Sequence, residues 1–139
     1  MNIEKVPILV KKAALQAEKI QNPILQEYDL TVSQYKFLKY LYHAKKDSVR
    51  ITDLENYFSM THPAAIDILK VLEKKGYTYR SVNPEDARSK IVSLTQKAYA
   101  EQETLEALGD KMESAVTQNL TKKEQTELVR LLKKLMDHQ

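Results

Sequence analysis

Over residues 4–21 the apolar side chains Val6, Val10, Ala13, Ala17 and Ile20 recur at spacings of four and three, while Lys11, Lys12, Glu18 and Lys19 fall mostly off that stripe. This is the period of a helix with one apolar face. Pro7 suits its first turn, and Asn22-Pro23 is expected to stop it, because proline has no N–H to continue the ladder. Ile24, Leu25, Tyr28 and Leu30 then read as a connector packed on the core. Thr31 with Gln34 makes a capping box, each side chain satisfying a backbone N–H at a helix start. The helix it opens runs to about residue 44, with Tyr35, Leu38, Leu41 and Tyr42 on one face. A polar loop over residues 45–48 follows, and residues 49–51 are able to supply a short strand.

The centre of the chain, residues 52–94, has the most specific pattern. Thr52 with Glu55 reads as a second capping box, so a helix is expected from Asp53, its apolar residues Leu54, Tyr57 and Phe58 allowing barely two turns. Ser59 and Thr61 offer a new N-cap, and Pro63 takes a first-turn position where its missing N–H costs nothing. Ala65, Ile68, Leu69 and Leu72 give the next helix its buried face, and Gly76 sits where a left-handed cap would end it. Two helices joined by so short a turn form a helix-turn-helix. Residues 77–82 and 91–94 are β-prone, with the turn chemistry of Asn83-Pro84-Glu85-Asp86 between them. A hairpin with Arg88 and Lys90 near its tip, beside a helix-turn-helix, is a winged helix.

Thr95 is expected to cap a long helix to about residue 117, with Ala98, Leu105, Leu108, Met112 and Ala115 on its seam despite Gly109. Thr121 with Glu124 repeats the capping box, and Leu128, Leu131, Leu132, Leu135 and Met136 form a wide apolar stripe. One amphipathic helix at the N-terminus and two at the C-terminus carry more apolar surface than the winged core between them can cover. A second copy of the chain is the simplest partner for it. The fold class is therefore mainly α with a small β wing: a winged helix-turn-helix core flanked by N- and C-terminal dimerisation helices. The divisions are residues 1–30, 31–95 and 96–139, within one compact domain overall.

Composition narrows the chemistry. The 139 residues contain no cysteine, which removes disulfides and thiolate metal sites, and only two glycines, too few for a phosphate-binding loop. His43, His62 and His138 show no ligand spacing, and no nucleophile–base pairing stands out, so neither an enzyme, a metal site nor a cofactor is expected. No apolar run is long enough for a membrane span, and the chain reads as soluble and cytoplasmic. The net charge is only +3, but residues 31–95 hold 11 Lys and Arg against 7 Asp and Glu, a net of +4, while the remainder holds 11 against 12. The excess sits on the helix-turn-helix and wing, where nucleic acid would lie.

The second helix of such a unit reads base edges from its N-terminal residues. Here those are Thr61, His62, Pro63, Ala64 and Asp67, with Lys70 and Lys74 further along. Thr61 and the first backbone N–H groups suit a phosphate, His62 a guanine acceptor or phosphate, and Ala64 and Ala65 a thymine methyl. Asp67 needs a cytosine amino group or a basic neighbour such as Lys70. On the wing, an Arg88 guanidinium fits a narrow minor groove. Ser89 and Lys90 fit phosphates, and Asp86 is better placed to orient an arginine than to touch DNA. The plainer alternatives are a capped surface helix and a solvated hairpin tip.

Leu30-Thr31 with Gln34 and Leu38, Leu72-Glu73-Lys74-Lys75-Gly76 with Arg80, and above all Asp86-Ala87-Arg88-Ser89-Lys90 leading to Leu94-Thr95 resemble the MarR family of transcriptional regulators. The Asp-x-Arg wing followed by Leu-Thr is the most specific part of the match. The resemblance implies a homodimeric winged-helix regulator that binds palindromic promoter DNA, with an aromatic effector bound beside the DNA-binding lobe. Tyr28, Phe37 and Tyr40 are the candidates for that effector pocket, against the alternative that they are half-buried rings capping a small core. The chain departs from the family pattern at Ala64, Ala65 and Asp67, where a basic or hydroxyl residue is frequent, and at Ala98, where glycine is. The expectation is a repressor that binds a two-fold symmetric operator through residues 61–75 and 83–90. The alternative is a winged-helix module whose donor-poor helix packs on a partner protein instead.

Overall fold

The computed structural model describes residues 3–86 and 88–137, so Ala87 of the wing and His138 lie outside the described residues. Its elements run α1 (Val6–Gln26), α2 (Val32–His43), β1 (Val49–Arg50), α3 (Ile51–Phe58), α4 (His62–Lys74), β2 (Thr78–Val82), β3 (Lys90–Leu94), α5 (Gln96–Ala100), α6 (Gln102–Val116) and α7 (Lys122–Met136). Two compact units result: Leu25–Ala107, and the described residues up to Ile24 together with those from Leu108 onward.

In the first unit β3 lies centrally, antiparallel to β1 on one side and to β2 on the other. Val92 pairs with Val49 and with Arg80, so the strand after the wing ties the start of the helix-turn-helix to its end. Leu25, Phe37, Leu38, Leu54, Leu69, Leu72, Val92 and Leu105 are the largest fully buried side chains. They come from α1, α2, α3, α4, β3 and α6, so the helix-turn-helix is held by a core and not by its turn alone. Phe37 stacks on Phe58 with ring centroids 5.5 Å apart. The Tyr77 phenol donates to Glu101 Oε1 at 2.9 Å; burial, and then that carboxylate, push its pKa up to about 12.

Four expectations need correction. First, α1 does not stop at Asn22-Pro23 but runs through Pro23 to Gln26. The extra turn seats Leu25 at zero exposure, and Asp29, with φ at +53°, reverses the chain afterwards. Burying a leucine is worth about 1.5–3 kcal/mol, comparable with the ~3 kcal/mol of a helical proline. Second, α3 begins at Ile51, not Asp53. Its N-cap is Arg50, whose backbone N–H donates to Asp53 Oδ2 at 2.9 Å while its guanidinium donates to Oδ1 at 2.9 Å.

Third, a helix starting there buries Ile51 and Leu54, and Tyr57, which the pattern put in the core, lies off that face at 69% exposed. Fourth, the helix after Thr95 is two helices broken at Glu101. The Ala98 carbonyl, which would accept from residue 102 in a continuous helix, is taken by the Tyr42 hydroxyl and the Glu101 N–H.

The other caps are where the pattern puts them. Thr31–Gln34 and Thr121–Glu124 form reciprocal boxes, and Thr95 Oγ1 accepts from Ala98 N–H at 3.2 Å. Gly76, at φ +84°, closes α4 with Gly76 N–H on Glu73 O (3.0 Å) and Tyr77 N–H on Leu72 O (2.9 Å), the Schellman arrangement. A Cβ added there meets only Lys97 Cδ at 3.5 Å, so the cost of Gly76→Ala is left-handed backbone strain. Chemical denaturation is expected to show a loss of about 1–2 kcal/mol; an unchanged midpoint would mean the turn relaxes.

The second unit is unlike the first in burial. Leu108 and Met112 are buried, yet α7 buries none of its side chains. Leu128, Leu131, Leu132 and Leu135 are 38–46% exposed, and on α1 so are Val6, Ile8, Leu9, Val10 and Leu15, at 40–60%.

Candidate nucleic-acid interface

The turn between α3 and α4 is built by two backbone devices. Ser59 takes a left-handed φ of +54°, its N–H closing on Glu55 O, and Thr61 then caps α4 by accepting from Ala64 N–H at 3.3 Å. Ala65, Leu69 and Leu72, all at zero exposure, anchor α4 by one face. Thr61, His62, Pro63, Asp67, Lys70 and Lys74 are exposed on the rest of it, and Ala64 is half-buried. Among the described residues Asp67 makes no ion pair, so of the two partners the sequence offers it, a cytosine amino group or a basic neighbour such as Lys70, the second is not taken up. His62 Nδ1 lies 2.9 Å from Glu55 Oε2 on α3. Glu55 therefore does not box with Thr52 as the spacing predicts; its partner is across the turn.

The wing is a hydrogen-bonded turn on a two-stranded stem. Asn83 Oδ1 accepts from Glu85 N–H at 3.0 Å, and Asp86 N–H donates to Asn83 O at 3.2 Å. Asp86 Oδ1 in turn accepts from the Arg88 backbone N–H at 3.0 Å and from Arg88 Nε at 3.3 Å. Asp86 therefore orients the arginine, as its position two residues earlier suggested. The Arg88 side chain is 93% exposed. Lys90 is also exposed, whereas Ser89 is half-buried with its hydroxyl shielded from solvent.

One brace has no counterpart in the sequence reading. Arg80 Nε and Nη2 grip both carboxylate oxygens of Glu73, at 2.6 and 3.0 Å, tying β2 to the last turn of α4. Wing and recognition helix are thus fastened by a two-pronged ion pair, the geometry in which arginine is strongest. Lys75 adds a second tie, donating to Gln34 Oε1 at 3.0 Å and to the Asp29 carbonyl. Neither pair has helical spacing, so no local signal marks it.

Phe37 and Tyr40 join one aromatic cluster through Phe58: Phe37 is buried beneath it, and Tyr40 meets Tyr57 edge-on at 5.1 Å. Tyr28, half-buried in the turn after α1, has no ring contact with that cluster among the described residues. A groove of about 750 Å³ lies elsewhere, along the outer edge of β2, lined by Glu73, Thr78, Tyr79, Arg80, Ser81, Val82 and Lys90.

Residues 19–105, well over half of the chain, match the family model described as transcriptional regulator SarA/Rot. The chain belongs to that family. It is also similar, at 29% identity over 96% of its length and 93% of the relative's, to the multiple antibiotic resistance protein MarR of Escherichia coli. An uncharacterized HTH-type regulator of Bacillus subtilis, YwaE, is 28% identical over 99% of the chain and 81% of the relative. Among solved structures, a mutant MarR from E. coli complexed with operator DNA superposes with a TM-score of 0.82 at 29% identity, covering 94% of each chain. The MepR–DNA complex from S. aureus gives 0.82 at 25% identity, over 95% of this chain and 96% of that one. The regulator is thus a MarR-type winged-helix protein, as the wing motif implied, and its family's work is DNA-binding transcriptional regulation. Among the described residues no helix is long and apolar enough to cross a membrane.

Proposed function

We propose that the regulator is a homodimeric repressor that occupies two-fold symmetric promoter DNA, setting the front of α4 into the major groove and Arg88 into the adjoining minor groove. The observation that carries this reading is the exposure of Arg88 on a tip braced by its own Asp86, in the same unit as a recognition helix whose polar residues face solvent. His62 and Asp67 take the base edges and Ala64 a thymine methyl, while Thr61 with the first backbone N–H groups of α4, Lys70, Lys74 and Lys90 take phosphates, with Pro63 setting the helix entry; the Ser89 hydroxyl, shielded from solvent, is not placed for the phosphate contact expected of it. Dimerisation is supported by the apolar faces of α1 and α7, and the MarR and MepR complexes supply the precedent of relatives bound to DNA. Occupying a promoter is enough to block transcription, and the protein works in the cytoplasm, where promoter DNA lies in cells without a nucleus. For release by an aromatic effector, the support is Tyr40, the one residue of the expected pocket of Tyr28, Phe37 and Tyr40 that is both part of the ring cluster and partly open to solvent, beside Tyr57 and Phe58.

Salt dependence tests the reading, because each neutralised phosphate releases counterions. With Lys70, Lys74, Arg88 and Lys90 engaged from both copies, the slope of log K against log salt is expected near about −7. Affinity for the duplex upstream of the regulator's own coding region should fall by about 10⁴-fold between 50 and 200 mM salt. A change below about tenfold would favour a protein partner for α4.

A further inference from the structure

The front of α4 has few groups able to read a base. Pro63, Ala64 and Ala65 carry no side-chain hydrogen-bonding group, and Thr61 Oγ1 is engaged by the Ala64 N–H at 3.3 Å. His62 stands out, its side chain 61% exposed, and one of its ring nitrogens already has a partner. Nδ1 is 2.9 Å from Glu55 Oε2, and the Glu55 side chain is only 17% exposed. A carboxylate accepts and cannot donate, so Nδ1 must carry the proton. In a neutral imidazole the remaining nitrogen, Nε2, is then a bare acceptor; the partner of one ring nitrogen decides what the other can do.

We propose that Glu55, which lies on α3 and not on the reading helix, is a positioning residue that sets the tautomer of His62. Resting on the reading of α4 as the base-reading helix, this makes the regulator select, at one position of each half-site, a base with an amino donor in the major groove. Cytosine N4 and adenine N6 are such donors; guanine and thymine present only acceptors there. The specificity of a helix poor in donors thus comes from an acceptor, held in place from behind by a neighbouring helix.

Two measurements on the full chain at pH 8 test it, using wild type, Glu55→Gln, His62→Ala and the double variant, each checked for folding by circular dichroism. In ¹⁵N-histidine spectra of the DNA-free protein, the His62 resonance, identified by its loss in His62→Ala, is expected in the Nδ1–H form. In Glu55→Gln it should move toward Nε2–H, since an amide can donate to Nδ1. In duplexes recovered from a random pool at fixed salt, wild type should enrich cytosine or adenine at one position per half-site. His62→Ala should lose that preference. Glu55→Gln should lose it or turn it toward guanine, binding the wild-type duplex about tenfold more weakly, the worth of one good hydrogen bond to a base. Its affinity for a random duplex should change less than about twofold, and the double variant should match His62→Ala.

An Nε2–H or doubly protonated His62 in wild type would overturn the inference while leaving α4 as the reading helix. So would a Glu55→Gln protein that keeps the preference His62→Ala has lost. If His62→Ala keeps every preference, His62 reads no base, and the assignment of α4 residues in the proposed function fails with it.

Discussion

Replacing Leu128 and Leu132 together by glutamate is expected to give a folded monomer that no longer holds promoter DNA. Helix α7 buries none of its side chains, and these two leucines are 41% and 38% exposed. Within one chain they therefore contribute little to the core, and glutamate is nearly as good a helix former as leucine. The Thr121–Glu124 box that starts the helix is untouched. In a dimer the same positions would place four carboxylates in an apolar interface, at a cost of several kcal/mol. That weakens self-association by about 10³-fold or more.

In the proposed dimer two DNA-binding units share one operator, and losing the dimer would separate them. The second contact is then no longer intramolecular, and apparent affinity drops by about 10²–10⁴-fold without any change at the DNA-facing residues. Sedimentation equilibrium and duplex titration on the same preparation measure both effects. A double variant that still sediments as a dimer would remove α7 from the interface.

Arg88→Ala is expected to weaken operator binding by about 10- to 100-fold, or roughly 1.5–3 kcal/mol. The melting temperature should stay within a degree or so. The two expectations separate because of where Arg88 sits. Its side chain is 93% exposed, and its ion pair with Asp86 spans two residues at the surface, where such pairs are screened and worth little. A narrow minor groove concentrates negative potential, and a guanidinium entering it gives up little hydration. With one Arg88 lost from each copy, the salt slope should become shallower by about two, and Arg88→Lys should restore the slope more than the affinity. Equal binding by the alanine variant would take the wing out of the mechanism.

Legibility differed from element to element for reasons of distance along the chain. The boxes at Thr31 and Thr121, the cap at Thr95, the Thr61–Pro63 start of α4 and the Gly76 stop were all readable. Each start is a side chain capping a backbone N–H three residues away, and the stop is a glycine whose left-handed backbone lets the Gly76 and Tyr77 N–H groups close on α4 carbonyls. The wing was readable because turn chemistry separates two β-prone runs, and Asp86 bonds Arg88 within the same turn. Glu55 was misread, because two acceptable partners, Thr52 and His62, lay within reach and the spacing could not choose between them.

What the residues determined by themselves was the order and kind of the elements, and the surplus of apolar faces on the terminal helices. Periodicity and capping act over one or two turns and carry their own signal. The tertiary structure decided where elements begin and break. Leu25 pulls α1 through a proline into a buried site, pairing of β1 with β3 fixes the start of α3 at Ile51, and the Tyr42 hydroxyl splits the helix after Thr95 by occupying the Ala98 carbonyl. Each of these depends on groups tens of residues apart that meet only once the chain has folded, and a backbone hydrogen bond or a buried leucine is worth enough to outweigh a local preference of the same size.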